Sequence, residues 1–441
     1  MQYLPNILFL LALAVGIGFF TRNVRKLIRN IKLGKAVRPE GSKSERWKQM
    51  ARIALGQSKM VVRPIAGAMH IIVYLVLIII NIEVLEIIID GLLGTHRIFA
   101  FLGPVYDFLI GAFEILALLV IVAVVVFWLR RNALKLNRFW KPEMKGWPKR
   151  DADWILYIEL ILMGLFLTMN AADYQLQQLG ADHYVQAGAF PVSTYIAGWM
   201  GSLPEASLVY IERTAWWLHI LGILFFLNYL YYSKHLHILL AFPNTYLGKL
   251  RPLGQFDNLE SVKKEVALMM DPNADPFAAP AEDAPPPEKF GASDVMDLNQ
   301  VQLLNAYTCT ECGRCTSECP ANQTGKKLSP RKIMMDTRDR LEEIGRQLDL
   351  SGGKWESDGK QLLDDYISRE ELWACTSCNA CVQACPVSID PLSIIMDMRR
   401  YLVMEQSAAP SELNVMMTNI ENNGAPWPFN QMDRLNWKQE V

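Results

Sequence analysis

Cys309-Thr-Glu-Cys312-Gly-Arg-Cys315-Thr-Ser-Glu-Cys319-Pro320 is echoed further along the chain by Cys375-Thr-Ser-Cys378-Asn-Ala-Cys381-Val-Gln-Ala-Cys385-Pro386. Both runs read C-x2-C-x2-C-x3-C-P. Three thiolates at two-residue gaps can wrap three corners of one iron–sulfur cubane. In two-cluster ferredoxins the fourth cysteine, the one before proline, ligates the other cluster. This groups Cys309, Cys312, Cys315 and Cys385 around one [4Fe–4S] cluster, and Cys375, Cys378, Cys381 and Cys319 around a second. Structural zinc would use paired C-x2-C units, leaving the third and fourth cysteine of each run unexplained. All eight cysteines fall between 309 and 385. That crowding suggests metal binding in a reducing compartment rather than a secreted disulfide framework.

The flanks repeat as well. SPRKIMMDTR from Ser329 and DPLSIIMDMR from Asp390 share Pro, Ile, Met, Asp and Arg. Ser329 and Asp390 suit the N-cap position, and Pro330 and Pro391 the first helical turn. The pattern predicts helices over about 294–307, 330–349, 360–367, 369–378 and 391–404, with a Ser368/Glu371 capping box ahead of Trp373. Strand signals are nearly absent, so residues 292–405 are expected to form an all-helical, two-cluster ferredoxin domain with internal two-fold symmetry. A C-terminal extension, 406–441, follows it. A linker, 246–291, precedes it, and its centre reads DPNADPFAAPAEDAPPPEKF from Asp271 to Phe290. That composition suits a semi-stiff connector.

Residues 1–245 differ in kind. Five apolar segments, roughly 3–20, 65–90, 105–129, 154–172 and 207–233, reach the ~20 residues needed to span a bilayer. The first has no basic residues before it and no small-residue cleavage site after it, so it reads as a retained span rather than a signal peptide. The fold class expected is therefore all-α: a five-helix transmembrane bundle followed by the ferredoxin domain. Arg22, Arg25, Lys26, Arg29, Lys32 and Lys35 open a basic stretch running to Arg63, and the connection Arg130–Arg150 is also basic. The connection Ala171–Ser207 has no Lys or Arg. Basic loops face the cytoplasm. The expected arrangement is a multi-pass protein of the bacterial inner membrane, with its N-terminus outside and its cysteines inside. A net charge of −1 points to no nucleic-acid partner.

A passive anchor needs one span, and this chain spends five. Ionisable groups within spans are costly and mark function; here they are His70, Glu83, Glu114, Glu159, His219 and the pair Glu212/Arg213. Neutral imidazole is an axial ligand of haem iron, and a haem between two helices needs one histidine from each. On a continuous helix, His219 and His237 share a face about 27 Å apart, while His235 points the other way. Asn81 shares the face of His70, where a second ligand would stand. The expectation is one haem b, between His70 and His237, with His219 a weaker candidate and His96 and His235 demoted.

The cysteine domain resembles the helical ferredoxin domain of the succinate dehydrogenase iron–sulfur subunit and of the heterodisulfide reductase family. On His70, the WWLH run ending at His219 and the SKHLHI run containing His237, the membrane half resembles the cytochrome b subunit of respiratory nitrate reductase. Together the halves resemble membrane-bound heterodisulfide-reductase-related proteins, among them electron-transfer-flavoprotein:menaquinone oxidoreductases. Two features depart from these families. Only one histidine lies in span two, where nitrate reductase cytochrome b has two. No adjacent cysteine pair and no cysteine after Cys385 is present, so the cysteine-rich catalytic module is expected to be on another polypeptide or to be absent.

The resemblance implies electron transfer between a cytoplasmic partner and menaquinone or ubiquinone. That partner would be a subunit with a cysteine-rich domain, an electron-transfer flavoprotein, or both. The chain is not expected to be catalytic alone. The competing reading is a membrane-tethered iron–sulfur redox sensor or assembly protein, which has no need of a bis-histidine haem. A self-sufficient reductase finds no nucleophile or flavin fingerprint.

Overall fold

The structure, a computed structural model, describes residues 3–272 and 289–439. The N-terminal half is built from α1 (Leu4–Ile31), α2 (Lys43–Met50), α3 (Pro64–Leu93), α4 (Pro104–Trp128), α5 (Trp147–Leu179), α6 (Ser193–Met200), α7 (Glu205–Tyr229) and α8 (His237–Leu247). Five helices, α1, α3, α4, α5 and α7, are long and apolar enough to cross a membrane. Proline and glycine punctuate them. Pro64 and Pro104 open α3 and α4, while Gly94 (φ 74°) and Gly180 (φ 66°) close α3 and α5 in the left-handed conformation. Proline lacks only an N–H that the first turn cannot use, and glycine takes positive φ without steric cost.

The first span extends beyond expectation. α1 continues to Ile31, so Arg22, Arg25, Lys26 and Arg29 form a helical arm rather than a loop. Lys26 Nζ reaches Asp349 at 2.5 Å, and Arg29 binds the same carboxylate. Long cationic side chains are good helix formers and carry their charge clear of apolar surface.

Inside the bundle, Phe9, Ile110, Phe113, Phe166 and Ile220 are buried. Several of the in-span ionisable residues have structural partners. Glu114 accepts the backbone N–H groups of Val192 and Ser193 at 2.8 and 3.0 Å, fixing the start of α6. Glu212 accepts from the Tyr184 hydroxyl and from Arg213.

The C-terminal half comprises α9 (Glu260–Met270), α10 (Gln300–Thr308), α11 (Arg314–Ser317), α12 (Pro320–Gln323), α13 (Pro330–Leu350), α14 (Leu362–Asp365), α15 (Arg369–Trp373), α16 (Ala380–Ala384), α17 (Pro391–Arg400) and α18 (Ser411–Asn423). No strand occurs among the described residues, only two isolated bridges. The caps behave as expected. Ser329 accepts from Lys332 N–H, Asp390 accepts from Ser393 N–H, and Ser368 and Glu371 form a capping box.

Three expected helices are shorter. The 294–307 segment is a 3-10 turn followed by a fresh start at the Asn299 cap. The 360–367 segment is only the one-turn α14, broken by Asp364 at φ 72°. The 369–378 helix stops at Trp373, where the chain turns to present Cys375. Most of the Pro/Ala-rich stretch, residues 273–288, lies outside the described residues, and α9 occupies part of the segment expected as linker.

The two halves share a core. Leu27, Leu230 and Leu236 from the membrane half are buried in one cluster with Leu303, Ile333 and Ile395. Asn30, 1% exposed, donates to the Tyr307 hydroxyl at 2.9 Å, and Tyr307 donates to Glu342. Arg331, fully buried, pairs with Glu143 of the α4–α5 connection at 2.7 Å. The cysteine domain therefore sits on the end of the bundle that carries the basic connections.

The contact is close: a Cβ on Gly345 would stand 2.4 Å from Asn30 Nδ2. Gly345→Val is expected to cost about 1–3 kcal/mol through overpacking. It should lower the aggregation temperature of the detergent-solubilised protein and speed proteolysis between the halves; an unchanged aggregation temperature would show that the contact is not tight.

Candidate redox centres

The sequence repeat persists in the backbone. Glu311 (φ 54°) and Gly313 (φ 71°) in the first run, and Ser377 (φ 56°) and Asn379 (φ 58°) in the second, are left-handed at equivalent positions. Each loop thereby coils on itself, and its third cysteine enters a short helix, α11 or α16. Glycine at 313 has a local reason: a Cβ there would stand 2.5 Å from Arg331 Nη1 and 3.3 Å from the Arg138 carbonyl.

The fourth cysteines cross over. Cys309, Cys312, Cys315 and Cys385 line one cavity, which Cys381 also borders. Cys385 lies within electrostatic range of Cys309, Cys312 and Cys315, and Cys319 within range of Cys375 and Cys381. All eight thiols are free. Among the described residues, no three His, Cys, Asp or Glu side chains converge as a single ion would require. Thiolates on one tetrahedral zinc lie about 4 Å apart, given a 2.3 Å bond; cubane thiolates each take a separate iron and stand further apart.

Burial pushes the Cys309 thiol up to about 12 and the Cys385 thiol up to about 11. Metal ligation requires the thiolate, so loading these sites is coupled to proton release. Backbone N–H groups point at sulfur in both loops: Ser377 N–H to Cys375 at 3.4 Å and Ile389 N–H to Cys385 at 3.3 Å.

The two groups face different surroundings. The Cys309 group is covered by connections of the membrane half. Arg314 donates to the carbonyls of Lys59 and Met60, and Arg331 to that of Arg138. In the second group Cys378 is the one exposed cysteine.

The histidines require a correction. The shared face of His219 and His237 assumes a continuous helix. Instead α7 ends at Tyr229, Ser233 is extended (ψ 148°), and α8 begins anew at His237. Ser233 caps the intervening turn by accepting from His235 N–H. The break carries His237 to 6.4 Å from His70 between ring centroids. It also sets His235 5.5 Å from His237, against the opposite-face expectation, with Glu159 3.7 Å from its Nε2. Burial lowers the pKa of both rings, that of His235 to about 3, with His237 and His70 adding to the effect.

His219 stands apart, its Nδ1 3.0 Å from the Leu162 carbonyl. Asn81 is exposed and bonds its own helix at Leu77. His96 pairs with Asp173 at 3.1 Å.

Two features escaped the sequence reading. The first is a tether between the histidine turn and the first cysteine loop: Lys234 binds Glu311 between Cys309 and Cys312, and the Lys234 carbonyl meets His237 Nδ1 at 3.1 Å. Burial alone would raise the Glu311 carboxyl, but Lys234 and Arg338 hold it down to about 2. The second is a cavity of about 460 Å³ at the far end of the bundle. Phe9, Trp216 and Trp217 line it, together with Glu83, whose buried Oε2 has no hydrogen-bond partner. Only the in-span acid and the WW pair signalled it.

Residues 308–389 match the family described as 4Fe-4S dicluster domain. Over 99% of its length the chain is 28% identical to a probable iron-sulfur-binding oxidoreductase, FadF, of Bacillus subtilis, covering 61% of that protein. Over 88% it is 26% identical to an EtfAB:quinone oxidoreductase of Syntrophomonas wolfei, covering 53%. A third of the chain, 34%, is 31% identical to a probable membrane-anchored ferredoxin of Chromohalobacter salexigens, covering 24% of it. Subunits C and D of heterodisulfide reductases also match. No solved structure matches significantly. The chain thus carries an iron–sulfur dicluster domain on a membrane-type helical bundle, and its relatives are iron–sulfur oxidoreductases. It spans only about half to three fifths of the first two relatives.

Exchange of the fourth ligand makes a specific prediction. Cys319→Ser should lose or convert the cluster of the second run, lowering iron from about eight atoms per chain toward about four, while the first run's signal persists in electron paramagnetic resonance. Loss of the first run's signal instead would contradict the crossed grouping.

Proposed function

We propose that the chain is a membrane electron-transfer subunit linking a cytoplasmic redox partner to the quinone pool. The two cysteine groups would hold [4Fe–4S] clusters, and His70 and His237 would hold one haem b. The observation that carries the reading is the opposed pair His70/His237, set at the bundle end where the cysteine loops dock.

The pair fits iron ligation. A metal–imidazole bond is about 2 Å, and a ring centre lies about 1 Å behind its nitrogen, so two rings on one iron have centroids about 6 Å apart. The observed separation is 6.4 Å. The Lys234 carbonyl engages His237 Nδ1, leaving Nε2 for iron; such outer hydrogen bonds fix the orientation of a ligating ring. His70 Nδ1 is buried with no hydrogen-bond partner among the described residues. Bound clusters and haem supply one-electron carriers, which side chains lack.

The protein's own groups do the rest. Burial keeps the His235 and His237 rings neutral, Lys234 ties the histidine turn to the first cysteine loop, and the shared core excludes water between them.

The exposed edge at Cys378 supports docking of a cytoplasmic partner there. Such a partner would carry adjacent cysteine pairs or a flavin, in keeping with the printed names of the relatives. The aromatic-walled cavity at the far end of the bundle is large enough for a quinone ring, menaquinone or ubiquinone. Basic connections on the same end as the cysteine domain support a cytoplasmic placement of the clusters and an external N-terminus in a bacterial inner membrane.

A reduced-minus-oxidised spectrum tests the reading. One b-type haem per chain is expected. His70→Ala and His237→Ala should each abolish it, while His235→Ala and His219→Ala should retain it. Haem retained in His237→Ala and lost in His219→Ala would move the site into the middle of α7, several turns from the cysteine domain. A haem-free wild-type chain would sink the quinone-linked reading.

A further inference from the structure

Three cations near the first cysteine group have no anion to balance them. Lys59 Nζ is half-buried and meets only neutral atoms, the Val382 carbonyl at 3.4 Å and Ser388 Oγ at 3.2 Å. Arg314, 5% exposed, donates to the Lys59 and Met60 carbonyls at 3.1 and 3.2 Å. Arg138 lies over the Phe139 ring, 4.7 Å from its centroid, its Nε buried and unbonded. None of the three makes an ion pair among the described residues. Each is instead within electrostatic range of Cys312 or Cys385. The other cations here are neutralised: Arg331 by Glu143, Lys234 and Arg338 by Glu311.

An unpaired cation held out of water is costly, and this cost is removed by a negative group beside it. Four thiolates on a cubane are such a group, which no carboxylate here replaces. The second group is placed differently. One cation, Arg399, binds the Cys375 and Leu372 carbonyls at 2.6 Å, and the acid Asp390, paired with Lys249, lies near Cys381.

We propose that Lys59, Arg138 and Arg314 raise the reduction potential of the cluster held by Cys309, Cys312, Cys315 and Cys385 above that of the cluster held by Cys375, Cys378, Cys381 and Cys319. Reduction adds one negative charge, and fixed cations favour the more negative state. Hydrogen bonds to sulfur do not oppose the ordering, since backbone N–H groups reach sulfur at both sites, Ile389 to Cys385 in the first and Ser377 to Cys375 in the second. Burial of the first group opposes the effect by removing water. It also strengthens whole charges acting through the same low dielectric, and three of them outweigh that loss. A single electron shared between the sites therefore rests beside the membrane: the exposed site is oxidised by one electron, the covered site reduced by one, with no bond or proton moved. Two of the three cations come from membrane-half connections, so docking of the halves sets the bias, and it favours flow from the soluble partner toward the bundle.

The inference rests on the cluster reading above, and the experiment separates the two. The whole chain in detergent is titrated potentiometrically and followed by electron paramagnetic resonance, with iron measured alongside. The wild type should show two cubane signals with distinct midpoints. Lys59→Met and Arg138→Leu should each lower only the higher midpoint, Lys59→Arg should leave it in place, and Arg399→Met should lower only the other. If Lys59→Met loses iron, the comparison uses Arg138→Leu, whose native side chain makes no hydrogen bond to a cysteine loop. Equal midpoints in the wild type, or a Lys59→Met shift confined to the lower one, overturns the ordering while leaving two clusters standing. Iron well below about eight atoms in the wild type would instead overturn the cluster reading itself.

Discussion

Eight thiols that must meet in two groups of four impose the rest of this structure. A run of cysteines two residues apart can supply three ligands, and the fourth must come from elsewhere. Taking it from the other run binds the two halves of the repeat into one body. The crossing then needs left-handed residues at the same places in both loops, short helices after them, and helices α13 and α17 laid together beneath. The apolar core follows from that arrangement, and so does the location of the cysteine domain, because the core is completed by Leu27, Leu230 and Leu236 at the membrane end.

The same crowding explains the charges around the first loop. Buried sulfur sites that carry negative charge when loaded attract cations, and this fold draws them from distant parts of the chain. Lys59 precedes α3, Arg138 follows α4, and Lys234 stands in the break after α7. None is near the cysteines in sequence. Each reaches them because the transmembrane helices end in connections that become the lid of the first cysteine group. The membrane half is thus part of the redox site's electrostatics as well as its support.

Breaks in regular structure matter as much as the helices. Ser233 adopts an extended conformation and caps a new turn, which releases His237 from the axis of α7 and swings it toward His70. A straight helix would have kept His237 in line with His219. The hydrogen bond from the histidine turn to the Lys234 carbonyl, and the ion pair from Lys234 to Glu311, then join the histidines to the first cysteine loop within a few residues.

Local patterns in the chain settled a great deal. The C-x2-C-x2-C-x3-C-P spacing, the proline starts with their Ser or Asp caps and the five apolar stretches each depend on near neighbours, so the all-helical class, the spans and the cysteine loops are legible there. His70 and His237 were legible as candidates by the cost of placing histidine in a bundle. Tertiary structure alone decided what depends on distant residues meeting: which histidines face each other, that Glu114 is an anchor for α6, that helix 360–367 shrinks to one turn, and that Lys59, Arg138 and Arg314 stand unpaired beside the first cysteine group. Periodicity assumes that a helix continues. One capped serine ended it, and the energy that favours the break, burial of the turn between the two halves, appears in no window of sequence.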